Sequence, residues 1–136
     1  TNHGICVAAT GGMAAFTDVR EIAAWRLAHQ LDLRVHLFLC SPDFRHHYAR
    51  CDQLLEAARS APRNIAEGSL RLKNKEFAGL VRLARRSEAA VLRHLIHAHD
   101  DCLITSDELL INRQLTRRAM AAAAWLIRDL ERGGYF

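Results

Sequence analysis

The chain has 136 residues, half of them apolar and a quarter charged, which suits a single domain with its own core. Its net charge of +4 is modest for a dedicated nucleic-acid binder, yet its bases are lopsided, seventeen arginines against two lysines, Lys73 and Lys75. No run of ~20 apolar residues occurs, which excludes a membrane-spanning helix.

Thr1 to Gly12 has neither a basic start nor a long apolar stretch and does not read as a signal peptide. Met13, after Gly11-Gly12, reads as a natural start. Residues 1–15 are therefore expected to form a flexible extension, residues 16–132 the folded domain and residues 133–136 a tail.

The first helix is expected to start near Thr17 or Asp18, because Asp18 and Glu21 are spaced as a capping box. Ala24, Leu27, Ala28, Leu31, Val35, Phe38 and Leu39 then recur at three and four residues, one apolar stripe of helical period. Ile22, Trp25, His29, Leu33 and Leu37 form a second stripe. A small monomeric bundle needs only one such face, so Ile22, Trp25, Leu33 and Leu37 are assigned to a contact between subunits.

Ser41 with Pro42 reads as the cap and first residue of a second helix carrying Phe44, Tyr48, Cys51, Leu54, Leu55 and Ala58. Pro62 removes a backbone donor, so a break is expected at Ala61-Pro62, a short continuation to Glu67 and a left-handed stop at Gly68. The third helix should follow Asn74 as cap, run through Phe77, Leu80, Val81, Ala84, Val91, Leu95 and Ala98, and end near Asp100. Thr105 with Glu108 is the clearest capping box in the chain. The fourth helix then carries Ile111, Leu115, Ala119, Ala122, Leu126 and Leu130 inward and stops at Gly133-Gly134. Four helices with short connections and no strand pattern predict an all-α, antiparallel up-down four-helix bundle.

Few residues suggest chemistry. Asn64 and Glu67 beside Pro62 are read as partners for backbone groups the proline frees. Glu88 falls on an apolar face and is expected to bond Arg63 or Asn64 across the bundle. His94, His97 and His99, followed by Asp100 and Asp101, look most like metal ligands. They lack the paired Glu-x-x-His pattern of a di-iron bundle and read as a solvated helix end. Cys6, Cys40, Cys51 and Cys102 have no CxxC spacing and read as free thiols of a cytoplasmic protein. No Walker loop, dinucleotide-binding loop or nucleophile elbow occurs. No catalytic residue, metal, cofactor or small-molecule substrate is assigned, and the chain is read as a non-enzyme. A metal-dependent enzyme using His94 and His97 is the reading that metal analysis would test.

Arginine is the preferred residue for phosphate contacts, although a GC-rich genome gives the same bias. Arg82, Arg85, Arg86 and Arg93 on the third helix, with Arg113, Arg117 and Arg118 on the fourth, are spaced as outward ridges able to follow a phosphate backbone. Pairing with Glu88, Asp107, Glu108 or Asp129 is the competing account of the same residues.

The stretch Ala57-Ala58-Arg59-Ser60-Ala61-Pro62-Arg63-Asn64-Ile65-Ala66-Glu67-Gly68, with Arg71 after it, resembles the "RAAxSIPxNIAEGxxR" signature of the 23S ribosomal RNA intervening-sequence proteins, a four-helix bundle family. Trp25 with Ala28, Asp52-Gln53-Leu54, Lys75-Glu76-Phe77, Ser87-Glu88 and Leu103-Ile104-Thr105 to Leu109 extend the resemblance over residues 16 to about 131. Departures are Ala61 in place of isoleucine, Arg86 in place of a glycine, and Trp25 about three residues late. The resemblance implies a homopentameric ring. Some members are encoded within inserts of large-subunit ribosomal RNA genes. A related branch serves as the accessory protein of diversity-generating retroelements, binding a reverse transcriptase and nucleic acid. The expected function is thus a non-catalytic oligomer binding RNA or a ribonucleoprotein; the alternative is an adaptor of a reverse transcriptase.

Overall fold

The structure is a computed structural model and describes Val19, residues 22–44 and residues 46–133. Those residues form four α-helices and no strand: α1 (Ala23–Leu39), α2 (Tyr48–Ser69), α3 (Asn74–Asp100) and α4 (Ser106–Glu131). A 3₁₀ turn, Pro42–Phe44, joins α1 to α2. The helices pack along four seams, α1–α2, α2–α3, α3–α4 and α4–α1.

The interior follows the apolar periodicity. One core cluster gathers Ile22, Ala28, Ile65, Phe77, Val81 and Leu130; the other gathers Leu31, Val35, Leu54, Val91, Leu95 and Leu103. Along α3 the first cluster reaches Ala84 and the second resumes at Val91, with Glu88 between them.

Local chemistry sets the α3–α4 junction. The amide of Cys102 donates to the carbonyl of His99 at 2.9 Å, and that of Leu103 to Ala98 at 2.8 Å. This is a Schellman closure, with Cys102 in the left-handed conformation at φ 62°. Thr105 then caps α4: its hydroxyl accepts from the Glu108 amide at 3.1 Å, and the Glu108 carboxylate accepts from the Thr105 amide at 2.8 Å. The expected capping box is present.

Several sequence expectations need correction. Thr17, Asp18 and Glu21 lie outside the described residues, as do residues 1–15 and 134–136; α1 begins at Ala23, behind an extended Ile22 with no side-chain cap. Ser41 and Pro42 open the 3₁₀ turn instead of α2, with the Ser41 hydroxyl accepting from the Asp43 amide at 3.3 Å. Tyr48, expected inside, is 75% exposed at the start of α2.

Pro62 does not break α2, which continues to Ser69. Ala58, Ala61 and Ile65 on both sides of it are buried, and this shared packing holds the helix together across the missing hydrogen bond. Gly68 is no left-handed stop; it is a buried helical residue pressed against Phe77. Asn74 is the first residue of α3 and not its cap. In α4 the inward line begins with Asn112 and Thr116, leaving Ile111 48% exposed.

Candidate nucleic-acid interface

The seven predicted arginines are not one patch. Arg82, Arg85 and Arg86 line a groove of about 480 Å³ between α3 and α4, floored by Ala89 and Ala124. Two of them are anchored to the far wall: Arg82 is ion-paired with Glu131, and the Arg85 guanidinium donates to the Met120 carbonyl at 3.3 Å. Arg113 and Arg117 lie on the same helical stripe of α4 as Met120 and continue that wall. Arg93 is two turns beyond Arg86 on the outer ridge of α3. Arg118 departs from the set, because it lines the α1–α4 seam. Among the described residues none of these arginines pairs with Glu88, Asp107 or Glu108 as the competing account has it; Arg82 engages Glu131 instead.

The residues assigned to a subunit contact divide as well. Ile22 is 2% exposed and sits in the chain's own core, which removes it from any outer face. Trp25 is half-buried against that cluster, its ring stacked on His29 at 4.7 Å. Leu33 and Leu37 remain, 52% and 66% exposed. With Ile111 and Leu115 they line a groove of about 490 Å³ along the α1–α4 seam.

Of the motif residues of α2, Ala57, Ser60 and Asn64 line a third groove, about 790 Å³, between α2 and α3, whereas Pro62 and Gly68 are buried in the bundle. Asn64 donates to the Ser60 carbonyl at 2.9 Å and to its hydroxyl at 3.0 Å, and the Ser87 hydroxyl donates to that of Ser60 at 2.8 Å. This chain stitches α2 to α3. Asn64 therefore serves Ser60, one turn back, and Glu67 pairs with Arg71 at 2.7 Å. Neither reaches the carbonyl that Pro62 leaves unbonded. Sequence reasoning missed the Ser60–Ser87 contact, which joins residues 27 positions apart and leaves no local signal.

Glu88 bonds neither Arg63 nor Asn64: Arg63 is paired with Glu56 at 2.8 Å, and both Glu88 oxygens are buried without a hydrogen-bond partner. Burial pushes its carboxyl up to about 8, against the smaller opposing pull of Arg85, so it is protonated at neutral pH. The histidines diverge. His94 lines the α2–α3 groove, where burial and then Arg93, His97 and Arg50 hold its imidazole below the usual value. His99 shares a hydrogen bond of 3.0 Å with Ser106, and Asp101 pairs with Arg50 at 2.7 Å. Among the described residues no three His, Cys, Asp or Glu side chains converge on a metal-sized space. Cys40, Cys51 and Cys102 are free thiols, with burial and Asp52 raising Cys51; Cys6 lies outside the described residues.

The fold defines the chain as an all-α, four-helix protein in which no described helix is long and apolar enough to cross a membrane. The family model of the 23S rRNA-intervening sequence protein matches residues 20–122, most of the chain, and the chain belongs to that family. The resemblance carried by Ala57 to Gly68 is thereby confirmed. No curated protein matches the chain.

Proposed function

We propose that this chain is a non-catalytic, cytoplasmic homo-oligomer that holds RNA, alone or within a ribonucleoprotein, through the outward arginines of α3 and α4. In this reading the helices alternate in antiparallel up-down order and the subunits close into a pentameric ring, as the family resemblance implies. One observation carries the reading. Arg86, Arg93, Arg113 and Arg117 stand on α3 and α4 with no ion pair or side-chain hydrogen bond among the described residues. Guanidinium groups left unpaired on neighbouring ridges are free to take phosphate oxygens in pairs. Such contacts follow a backbone without reading sequence.

Against an enzyme stands the separation of the reactive groups. Glu88 is sealed in the core, while His94 faces the α2–α3 groove. A second reading, an adaptor docking a polymerase or reverse transcriptase, draws on the exposed apolar side chains of the α1–α4 seam. Titrating labelled structured RNA at several salt concentrations tests the first reading, and a pull-down of a polymerase without RNA dependence favours the second.

A further inference from the structure

Two grooves lie along seams that share no helix, α1–α4 and α2–α3. In a bundle packed around four seams, these two seams face away from each other. Their chemistry is unlike. The α1–α4 seam is lined by exposed leucines and two cations, Arg34 and Arg118, and no carboxylate lines it. On α1 the residues Gln30, Leu33, Arg34 and Leu37 follow the spacing i, i+3, i+4, i+7 and form one solvent-facing ridge.

The α2–α3 groove has the opposite character. Small side chains, Ala57 and Ser60 on α2 and Ser87 and Ala90 on α3, leave room for a helix to approach closely. Asp52 and Glu56, one turn apart, place carboxylates along its α2 wall, Asp52 without an ion pair among the described residues and Glu56 in an exposed pair with Arg63. On the α3 wall stand Arg86 and His94, the imidazole of His94 held below its usual value by burial and neighbouring cations.

We propose that the α1 ridge of one copy seats in the α2–α3 groove of the next, with Leu33 and Leu37 over the small residues and Arg34 towards Asp52 and Glu56. This inference rests on the homo-oligomeric reading above and names the surface that the apolar ridge meets. Charge selects this pairing over self-pairing. Two α1–α4 seams set face to face about a two-fold axis would bring Arg34 and Arg118 against their own copies with no acid lining either side. Like charges so placed are repulsive, whereas the α2–α3 groove offers carboxylates. Apolar burial of two half-exposed leucines supplies the drive, at about 25 cal/mol per Å² removed from water.

The pairing has a geometric consequence. A contact between two different surfaces of the same chain repeats head to tail and closes into a ring when the rotation allows. Every subunit then presents its α3–α4 groove on the same side of that ring. Arg86, Arg93, Arg113 and Arg117 of successive copies become one basic belt, which multiplies weak phosphate contacts through linkage in one assembly.

The test uses two surface variants of the full chain and light scattering. The ridge variant is Leu33→Gln with Leu37→Gln, which removes the apolar contact without adding charge; the groove variant is Asp52→Arg with Glu56→Arg. All four positions are exposed, and circular dichroism checks that each variant stays helical. The expected result is an oligomeric parent and two variants that are each monomeric. Mixing them should restore one contact, between the intact groove of the ridge variant and the intact ridge of the groove variant. The mixture should therefore give a 1:1 dimer of twice 15.3 kDa. A groove variant that assembles like the parent, or a mixture that stays monomeric, overturns the head-to-tail pairing and leaves the homo-oligomer standing. A monomeric parent removes both.

Discussion

Gly68 in α2 lies so close to Phe77 in α3 that a Cβ placed on the glycine would stand 2.6 Å from the Phe77 ring. The ring belongs to a buried core residue and cannot swing away freely. This contact sets the approach of α2 to α3 and explains the glycine without any special backbone angle. Gly68→Ala should therefore destabilise the protein, by about 1–3 kcal/mol for overpacking, despite the better helix propensity of alanine. Urea unfolding followed by circular dichroism measures the shift, and an unchanged or higher midpoint would show that the two helices can part cheaply.

Glu88 makes stability depend on pH. Its carboxyl titrates at about 8 in the fold against 4.5 ordinarily, so the folded chain holds the proton more tightly than the unfolded one. The stabilising proton is fully in place below about pH 4.5 and is lost as pH rises through about 8. Unfolding free energy should fall over that window by an amount on the order of 5 kcal/mol. Glu88→Gln should flatten the dependence and raise stability at the alkaline end. A parent whose urea midpoint does not decline between about pH 5 and 8 would remove the buried, partnerless carboxyl from this account.

Cys102 holds the left-handed position of the α3–α4 turn at φ 62°, where a side chain is strained and glycine is not. Cys102→Gly should raise the stability by up to about 1 kcal/mol, because the native geometry already suits glycine. Thr105→Ala, a few residues on, should lower it by about 1 kcal/mol through loss of the cap. Thermal melts of the two variants should move in opposite directions.

The arginines should differ in their effect on RNA binding. Arg86→Ala and Arg117→Ala each remove a guanidinium with no partner among the described residues and should reduce the slope of log affinity against log salt by about 0.7–0.9. Arg82→Ala should cost less, since Arg82 is already paired with Glu131. Equal effects from all three would mean that the ion pair is no obstacle to phosphate contact.

What could be read from the sequence was local or strongly periodic. Thr105 and Glu108 are three residues apart and satisfy each other's backbone, so their box is visible in the chain itself. The inward line of α3, from Phe77 to Ala98, is a single stripe and was legible, Glu88 included. Other features depended on neighbours. Pro62 sits within a continuous α2 because Ala61 and Ile65 are packed on other helices, which propensity does not register. At the start of α4, apolar Ile111 competes with Asn112 for the inward line; the structure turns Asn112 and Thr116 inward, the Asn112 amide donating to the Glu108 carbonyl and the Thr116 hydroxyl to the Asn112 carbonyl, bonds that the apolar period does not register. The candidate interface was legible in residue type but not in grouping: i, i+1 neighbours such as Arg117 and Arg118 point to different seams.

The most direct test of the central claim is the salt dependence of binding between the intact protein and a labelled, structured RNA, followed by fluorescence anisotropy. Four unpaired arginines engaging four phosphates predict that affinity falls roughly 50- to 150-fold between about 50 and 200 mM salt. No binding at the low-salt end, or the same affinity at both ends, would contradict a phosphate-gripping role for α3 and α4.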